Sequence, residues 1–132
     1  MQGLNTTLVH AHTALFGVYG LLGLGLTLLV LRRLLPRGEW KDRPLMIAFW
    51  AMNGGLAFMV LASLLPVGLA QAAVSIDQGL WYARNDLFLQ QPAMETLRWL
   101  RMIGDTVFIA GTLAPAWFVV GLKTGWSLEK KA

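Results

Sequence analysis

Apolar residues fill three long runs of this chain, and polar residues gather in the gaps between them. Positions 1–31 hold no Asp, Glu, Lys or Arg, and the same is true of 45–76 and 106–122. A bilayer core about 30 Å thick takes about 20 helical residues, so the first two runs each suffice to cross it; the third does once the turns before it are counted. Arg32-Arg33, Pro36 and Gly38 end the first run, Pro44 and Pro92 suit the first turns of a second and a third helix, and Lys123 closes the last. The pattern predicts an all-α membrane protein with three transmembrane helices at about 5–34, 44–73 and 92–122, forming a single membrane domain over 1–132. Pro66 lies inside the second helix and predicts a kink there, tolerated where neighbours satisfy the freed carbonyl. Residues 35–43 form a linker, 74–91 a polar loop with a short interfacial helix, and 123–132 a tail.

Composition narrows the picture by exclusion. Apolar residues make up 56% of the 132 positions and charged ones 14%, and there is no cysteine. Disulfides, thiolate-bound zinc, cysteine-held iron–sulfur clusters and haem attached through CxxCH are therefore excluded. The net charge of +4 sits beside apolar runs, which argues against nucleic acid as a partner and for a lipid bilayer. Arg32, Arg33, Arg37, Lys41 and Arg43 outnumber Glu39 and Asp42 around the first linker, and the tail adds Lys130 and Lys131, whereas loop 74–91 has Arg84 as its one basic residue. By the positive-inside rule the linker and tail are cytoplasmic, and the N-terminus and loop 74–91 are periplasmic. Positions 1–8 lack a basic n-region and lead into a run too long for a signal-peptide core, so this run reads as a retained span. Trp40 and Trp126 fall at the inner ends and Trp81 and Trp99 at the outer ends, where indole rings prefer the headgroup level. Trp50 and Trp117 lie about two turns further in and are placed to pack between helices.

The candidate chemistry lies in Val9-His10-Ala11-His12-Thr13, inside the first uncharged run. Residues two apart on an α-helix are rotated by about 200°, so His10 and His12 leave opposite faces and cannot share one metal ion. A single zinc held from one helix would need a spacing of three or four. The pair can serve two centres, one on each side. Below His10 an α-helical projection puts Ala14, Gly17 and Leu21, a recess for a broad planar group; below His12 it puts Phe16, Tyr19 and Gly23. Gly17, Gly20, Gly23 and Gly25 taken alone read as helix-packing residues. An ionisable side chain within the membrane is costly and marks function, and ligation outweighs the alternative of two buried neutral hydrogen-bonding imidazoles.

His10-Ala11-His12 followed by Ala14-Leu15-Phe16-Gly17-Val18-Tyr19-Gly20 resembles the tenth transmembrane helix of the catalytic subunit of the haem–copper oxidase superfamily, most closely its nitric oxide reductase branch. The resemblance continues through Phe49-Trp50-Ala51-Met52-Asn53, Ser63-Leu64-Leu65-Pro66-Val67-Gly68, Gly79-Leu80-Trp81-Tyr82-Ala83-Arg84 and Leu97-Arg98-Trp99-Leu100-Arg101-Met102-Ile103-Gly104-Asp105. It implies that His10 ligates the iron of a high-spin haem b and His12 that of a low-spin haem b, both shared with further helices, in a multi-pass protein of the bacterial inner membrane. It also implies a non-haem iron whose three histidines and nearby glutamate are not in this chain, which holds only two His. The chain then corresponds to the last three helices of a larger bundle, as a C-terminal fragment or a piece of a split subunit, and is inactive alone. Its partners are the remaining helices of the catalytic subunit and an electron donor, quinol or cytochrome c.

Arg98, Arg101 and Asp105 share one face of the third helix, with Arg101 and Asp105 four apart. An ordinary ion pair near the headgroups explains them as well as a functional role does, because arginine snorkels from the first turns. In the quinol-using branch an acid near the low-spin haem takes up protons, so the resemblance implies Asp105 as a quinol-side proton acceptor. It also assigns Arg84, Arg98 and Arg101 to haem propionates, which guanidinium groups bind bidentately. Gly121-Leu122-Lys123-Thr124-Gly125 matches GxxxG in spacing but reads as a helix end. Two alternatives stand beside the reductase: a three-helix scaffold or assembly protein without cofactor, and a part of an oxygen-reducing haem–copper oxidase.

Overall fold

A computed structural model describes residues 3–35 and 40–129. Four helices account for most of it: α1 (Asn5–Leu34), α2 (Asp42–Arg84), α3 (Asp86–Leu89) and α4 (Pro92–Thr124). Helices α1, α2 and α4 are long and apolar enough to cross a membrane, as expected of an all-α membrane protein with three spans. Arg37 and Glu39 of the basic linker, Pro36 and Gly38 beside them, and Lys130 and Lys131 of the tail lie outside the described residues.

The core seam runs between α2 and α4, and glycine makes it possible. A Cβ on Gly55 would come within 2.6 Å of the Phe108 backbone N, one on Gly104 within 2.8 Å of the Gly55 O, and one on Gly111 within 2.8 Å of the Met52 N. The two backbones therefore touch where these residues face each other, the arrangement that drives helix association in lipid. Leu56, Met59, Val60 and Leu64 of α2 form the buried cluster, closed by Val9 of α1 and Phe108 of α4. The glycines of α1 do less than their number suggests. Gly23 and Gly25 have nothing within 4 Å of a built Cβ, and Leu22, Leu26, Leu29 and Val30 around them face outward.

Two stretches are wound as π-helix, His12–Gly20 in α1 and Val60–Leu64 in α2. The second explains how α2 passes Pro66. Proline cannot donate to the carbonyl four residues back, that of Ala62, and the wide turn at Val60–Leu64 spans that point, so the chain continues as helix from Leu65 onward.

The second span does not end near 73. It continues to a break at Gly79, whose φ of 84° lies in the left-handed region that side chains disfavour, and then to Arg84. What extends it is Gln71, buried at 3% exposure, whose Nε2 donates to the Ala83 carbonyl at 3.0 Å and ties the end of α2 back on itself. Loop 74–91 is thus largely helical, and Asn85 caps α3 by accepting from the Leu87 N–H at 3.2 Å.

At the opposite end α4 stops at Gly125, with φ 87°, so the Gly121 to Gly125 spacing does close a helix. The chain then folds back: the Lys41 N–H donates to the Ser127 carbonyl at 3.0 Å, and Ser127 Oγ donates to the Phe118 carbonyl at 2.9 Å. Trp40 is buried in this clasp at 6% exposure, edge-on to Phe118 with ring centroids 5.3 Å apart, and is not a headgroup anchor as its position suggested. Trp50 and Trp117 correct the other way. Both are 67% exposed on the outer faces of their helices and do not pack between them.

Candidate functional site: the His12 face and its cleft

The start of α1 is docked on α2 through main-chain contacts. The Asn5 N–H, one of the unpaired donors of a helix N-terminus, donates to Gln71 Oε1 at 2.8 Å. Thr6 lies so close over Gly68 that a Cβ there would come within 2.6 Å of its backbone N. This docking sets His12 beside α4.

His12 Nδ1 lies 2.8 Å from the Leu8 carbonyl, and its Nε2 lies 3.4 Å from Arg101 Nη2. A carbonyl only accepts and a guanidinium only donates, so both partners select the same tautomer, with the proton on Nδ1 and the lone pair on Nε2. Arg101 Nε in turn donates to Asp105 Oδ2 at 3.1 Å, with both side chains about a third exposed (34%). A line of contacts therefore runs from Leu8 through His12 and Arg101 to Asp105. The Phe16 ring covers His12 at 5.8 Å and meets Phe108 edge-on at 5.5 Å.

His10 is placed differently. Its ring is exposed and has no hydrogen-bond partner among the described residues, while His12 is half-buried against α4. The residues beneath them depart from the α-helical projection because the π winding advances each residue by less than 100°. Gly17 turns inward, where a Cβ would come within 3.2 Å of Leu56 Cδ2, so it is not part of a recess under His10. Tyr19 is 68% exposed and forms no wall for His12; Phe16 does, backed by Phe108 of α4.

Asp105, Arg101 and Arg98 border a cleft of about 610 Å³ together with Trp99 and Glu95 of α4, Asn5 of α1 and Ser63 of α2. Arg84 is not among them. It borders a separate hollow with Trp81, Tyr82 and Asp86, and its guanidinium lies over Gly3. The structure thus brings two of the three arginines to one site and leaves the third at the end of α2. Ser63, Glu95 and Gln71 were not singled out from the sequence. The available signal was a polar residue inside an uncharged run, for Ser63 and Gln71, and an acid three residues before Arg98, for Glu95.

No group of three His, Asp or Glu able to hold a metal ion occurs among the described residues. Single imidazoles presented to a shared cofactor remain, and His12 suits that role: a metal-ligating histidine usually gives its other ring N–H to a carbonyl, as His12 does to Leu8. The comparison with protein families agrees in kind. Residues 1–107 match the model of cytochrome c and quinol oxidase polypeptide I. The chain belongs to that family. It is a haem–copper-oxidase-like segment of a multi-pass membrane protein, of oxidoreductase type, in a family that generally binds haem. No curated protein matches the chain.

Proposed function

We propose that this chain is the haem-ligating segment of a respiratory nitric oxide reductase of the bacterial inner membrane, in which two NO, two electrons and two protons yield N2O and water. The observation that supports the reading best is the different setting of the two imidazoles: one ring is exposed with no partner among the described residues, the other is held in a single tautomer against α4. His10 holds the iron of the high-spin haem and His12 that of the low-spin haem. When bound, the two haems would supply electron transfer and the site of NO reduction, with a non-haem iron whose ligands would come from other helices. This chain's own residues set positions and charge. The Leu8 carbonyl orients the His12 ring, and Arg98 and Arg101 of α4, with Arg84 at the end of α2, would pair with porphyrin carboxylates. Asp105, in the cleft on the far side of Arg101, receives a proton from a quinol donor. The histidine end of the bundle lies at the periplasmic side, in keeping with the basic residues at the other end.

The test is spectroscopic and uses the chain assembled with its partner helices. His12→Ala removes the low-spin bis-histidine spectrum and keeps a high-spin signal; His10→Ala does the opposite. Loss of one common feature in both variants would sink the two-haem assignment. A second reading, oxygen reduction, is favoured by the family description itself, which names oxidases. It predicts oxygen consumption by the assembled protein with no N2O formed from NO.

A further inference from the structure

We infer that Arg101 is a guard on the ligating nitrogen of His12, held at that post by Asp105. The inference rests on His12 being an iron ligand, and it assigns to Arg101 a role earlier than any turnover, in controlling access to Nε2.

Three features carry it. The Arg101 Nη2 group lies 3.4 Å from Nε2 and donates to its lone pair, the same lone pair that a metal ion would take. The guanidinium is restrained from a second side, since its Nε donates to Asp105 Oδ2 at 3.1 Å one turn further along α4. The two donors come from one rigid planar group, so Arg101 cannot leave His12 by a small rotation without also straining its bond to Asp105. With Nδ1 bonded to the Leu8 carbonyl at 2.8 Å, both nitrogens of His12 are engaged, while neither nitrogen of His10 has a partner among the described residues. The two histidines of one short segment thus differ in readiness. His10 is open to a ligand at once, and His12 opens only when Arg101 is drawn away.

The guard also has a natural key. A guanidinium leaves a neutral imidazole for a carboxylate readily, because the carboxylate carries a full opposite charge and accepts from two N–H groups of the fork at once. An incoming metal complex that carries its own carboxylates can draw Arg101 off Nε2 as it arrives, whereas a bare cation is repelled by the guanidinium. His12 therefore selects for an anionic macrocycle over a free metal ion.

Two measurements on the full chain in detergent micelles test this. The first is carbethoxylation by diethyl pyrocarbonate, which attacks an unprotonated imidazole nitrogen, with the rates at His10 and His12 separated by fragment mass spectrometry. In the unmodified chain His12 reacts more slowly than His10. Arg101→Gln raises the His12 rate by about fivefold, the factor one modest hydrogen bond is worth, and leaves His10 unchanged. Arg101→Lys, which keeps the charge but not the planar fork, falls between, and Asp105→Asn moves in the same direction as Arg101→Gln. Equal rates at the two histidines in the unmodified chain, an unchanged His12 rate in Arg101→Gln, or an equal rise at both histidines would each overturn the guard. The second measurement follows the Soret band on adding hemin, or hemin with its carboxylates esterified. The guard predicts that the ester binds the unmodified chain more slowly than hemin does, and that Arg101→Gln removes the difference. The same difference in both proteins overturns the selection. Hemin binding to neither protein, with the carbethoxylation pattern intact, overturns the selection and leaves only the Arg101–His12 contact standing; the ligand assignment itself stands or falls separately, by the His12→Ala spectrum of the assembled protein.

Discussion

The backbone N–H of Asn5 and the carbonyl of Ala83, at the start of α1 and the end of α2, are bonded to the two ends of one side-chain amide, that of Gln71. This amide is buried at 3% exposure inside an otherwise apolar stretch and satisfies one orphan group on each side of itself. It therefore sets where α1 begins relative to α4, and with that the position of His12.

Gln71→Leu keeps the volume and removes both bonds. It leaves a donor and an acceptor of the main chain without partners, at a cost of about 1–3 kcal/mol for each buried group. The expected outcome is a lowered unfolding midpoint in micelles together with faster amide exchange at residues 5–8. An unchanged midpoint and exchange pattern would show that the Gln71 bridge does not hold α1.

The α2–α4 seam separates glycines that matter from those that do not. Gly104→Val places a side chain where the built Cβ alone lies 2.8 Å from the Gly55 O and the Met59 N. Since the neighbours are backbone, the helices must part, and overpacking of this kind costs about 1–3 kcal/mol or more. Gly23→Ala and Gly25→Ala, with open space around them, leave stability unchanged or raise it slightly, as alanine is the better helix former. Thermal unfolding of the three variants side by side checks the contrast, and similar losses in all three would refute it.

Asp105→Asn distinguishes a proton acceptor from a structural partner. The Arg101–Asp105 pair is 34% exposed at both ends, so it behaves largely as a surface ion pair worth under about 1 kcal/mol. The substitution is expected to leave the unfolding midpoint nearly unchanged. In the assembled enzyme it slows turnover with quinol and spares turnover with an artificial donor that reduces haem directly. Equal loss with both donors would remove the quinol role.

The basic linker predicts the orientation in the membrane. A cysteine replacing Gln78 is expected to react with a membrane-impermeant reagent in intact cells, and one replacing Asp42 is not; both positions are exposed in the fold. The reverse labelling would invert the topology and move the histidine end to the cytoplasmic side.

Much of this protein is legible along the chain because a bilayer acts on each helix separately. The three uncharged runs, the opening of α4 at Pro92, its end within the stretch from Gly121 to Gly125 and the divergence of His10 from His12 all depend on solvent and local backbone geometry, and these the sequence determined by itself. The rest depends on which atoms of different helices meet. His12 and Arg101 are 89 residues apart, and nothing in their spacing predicts a contact between them. The π winding of 12–20 rotated Gly17 inward and Tyr19 outward against a projection that assumed α-helix throughout. The row of glycines in α1 drew attention by number, yet the close approach belongs to Gly55, Gly104 and Gly111, because a glycine is consequential only where a second backbone lies against it. Trp40 was placed at the headgroups by its position and went into a clasp, since the tail returning after Gly125 pairs with residues 40 and 41 and the Trp40 ring rests on Phe118 of α4. Composition and periodicity thus decided which segments are apolar enough to cross the membrane, and tertiary packing decided which glycines meet a second backbone and which nitrogen and carboxylate meet Arg101.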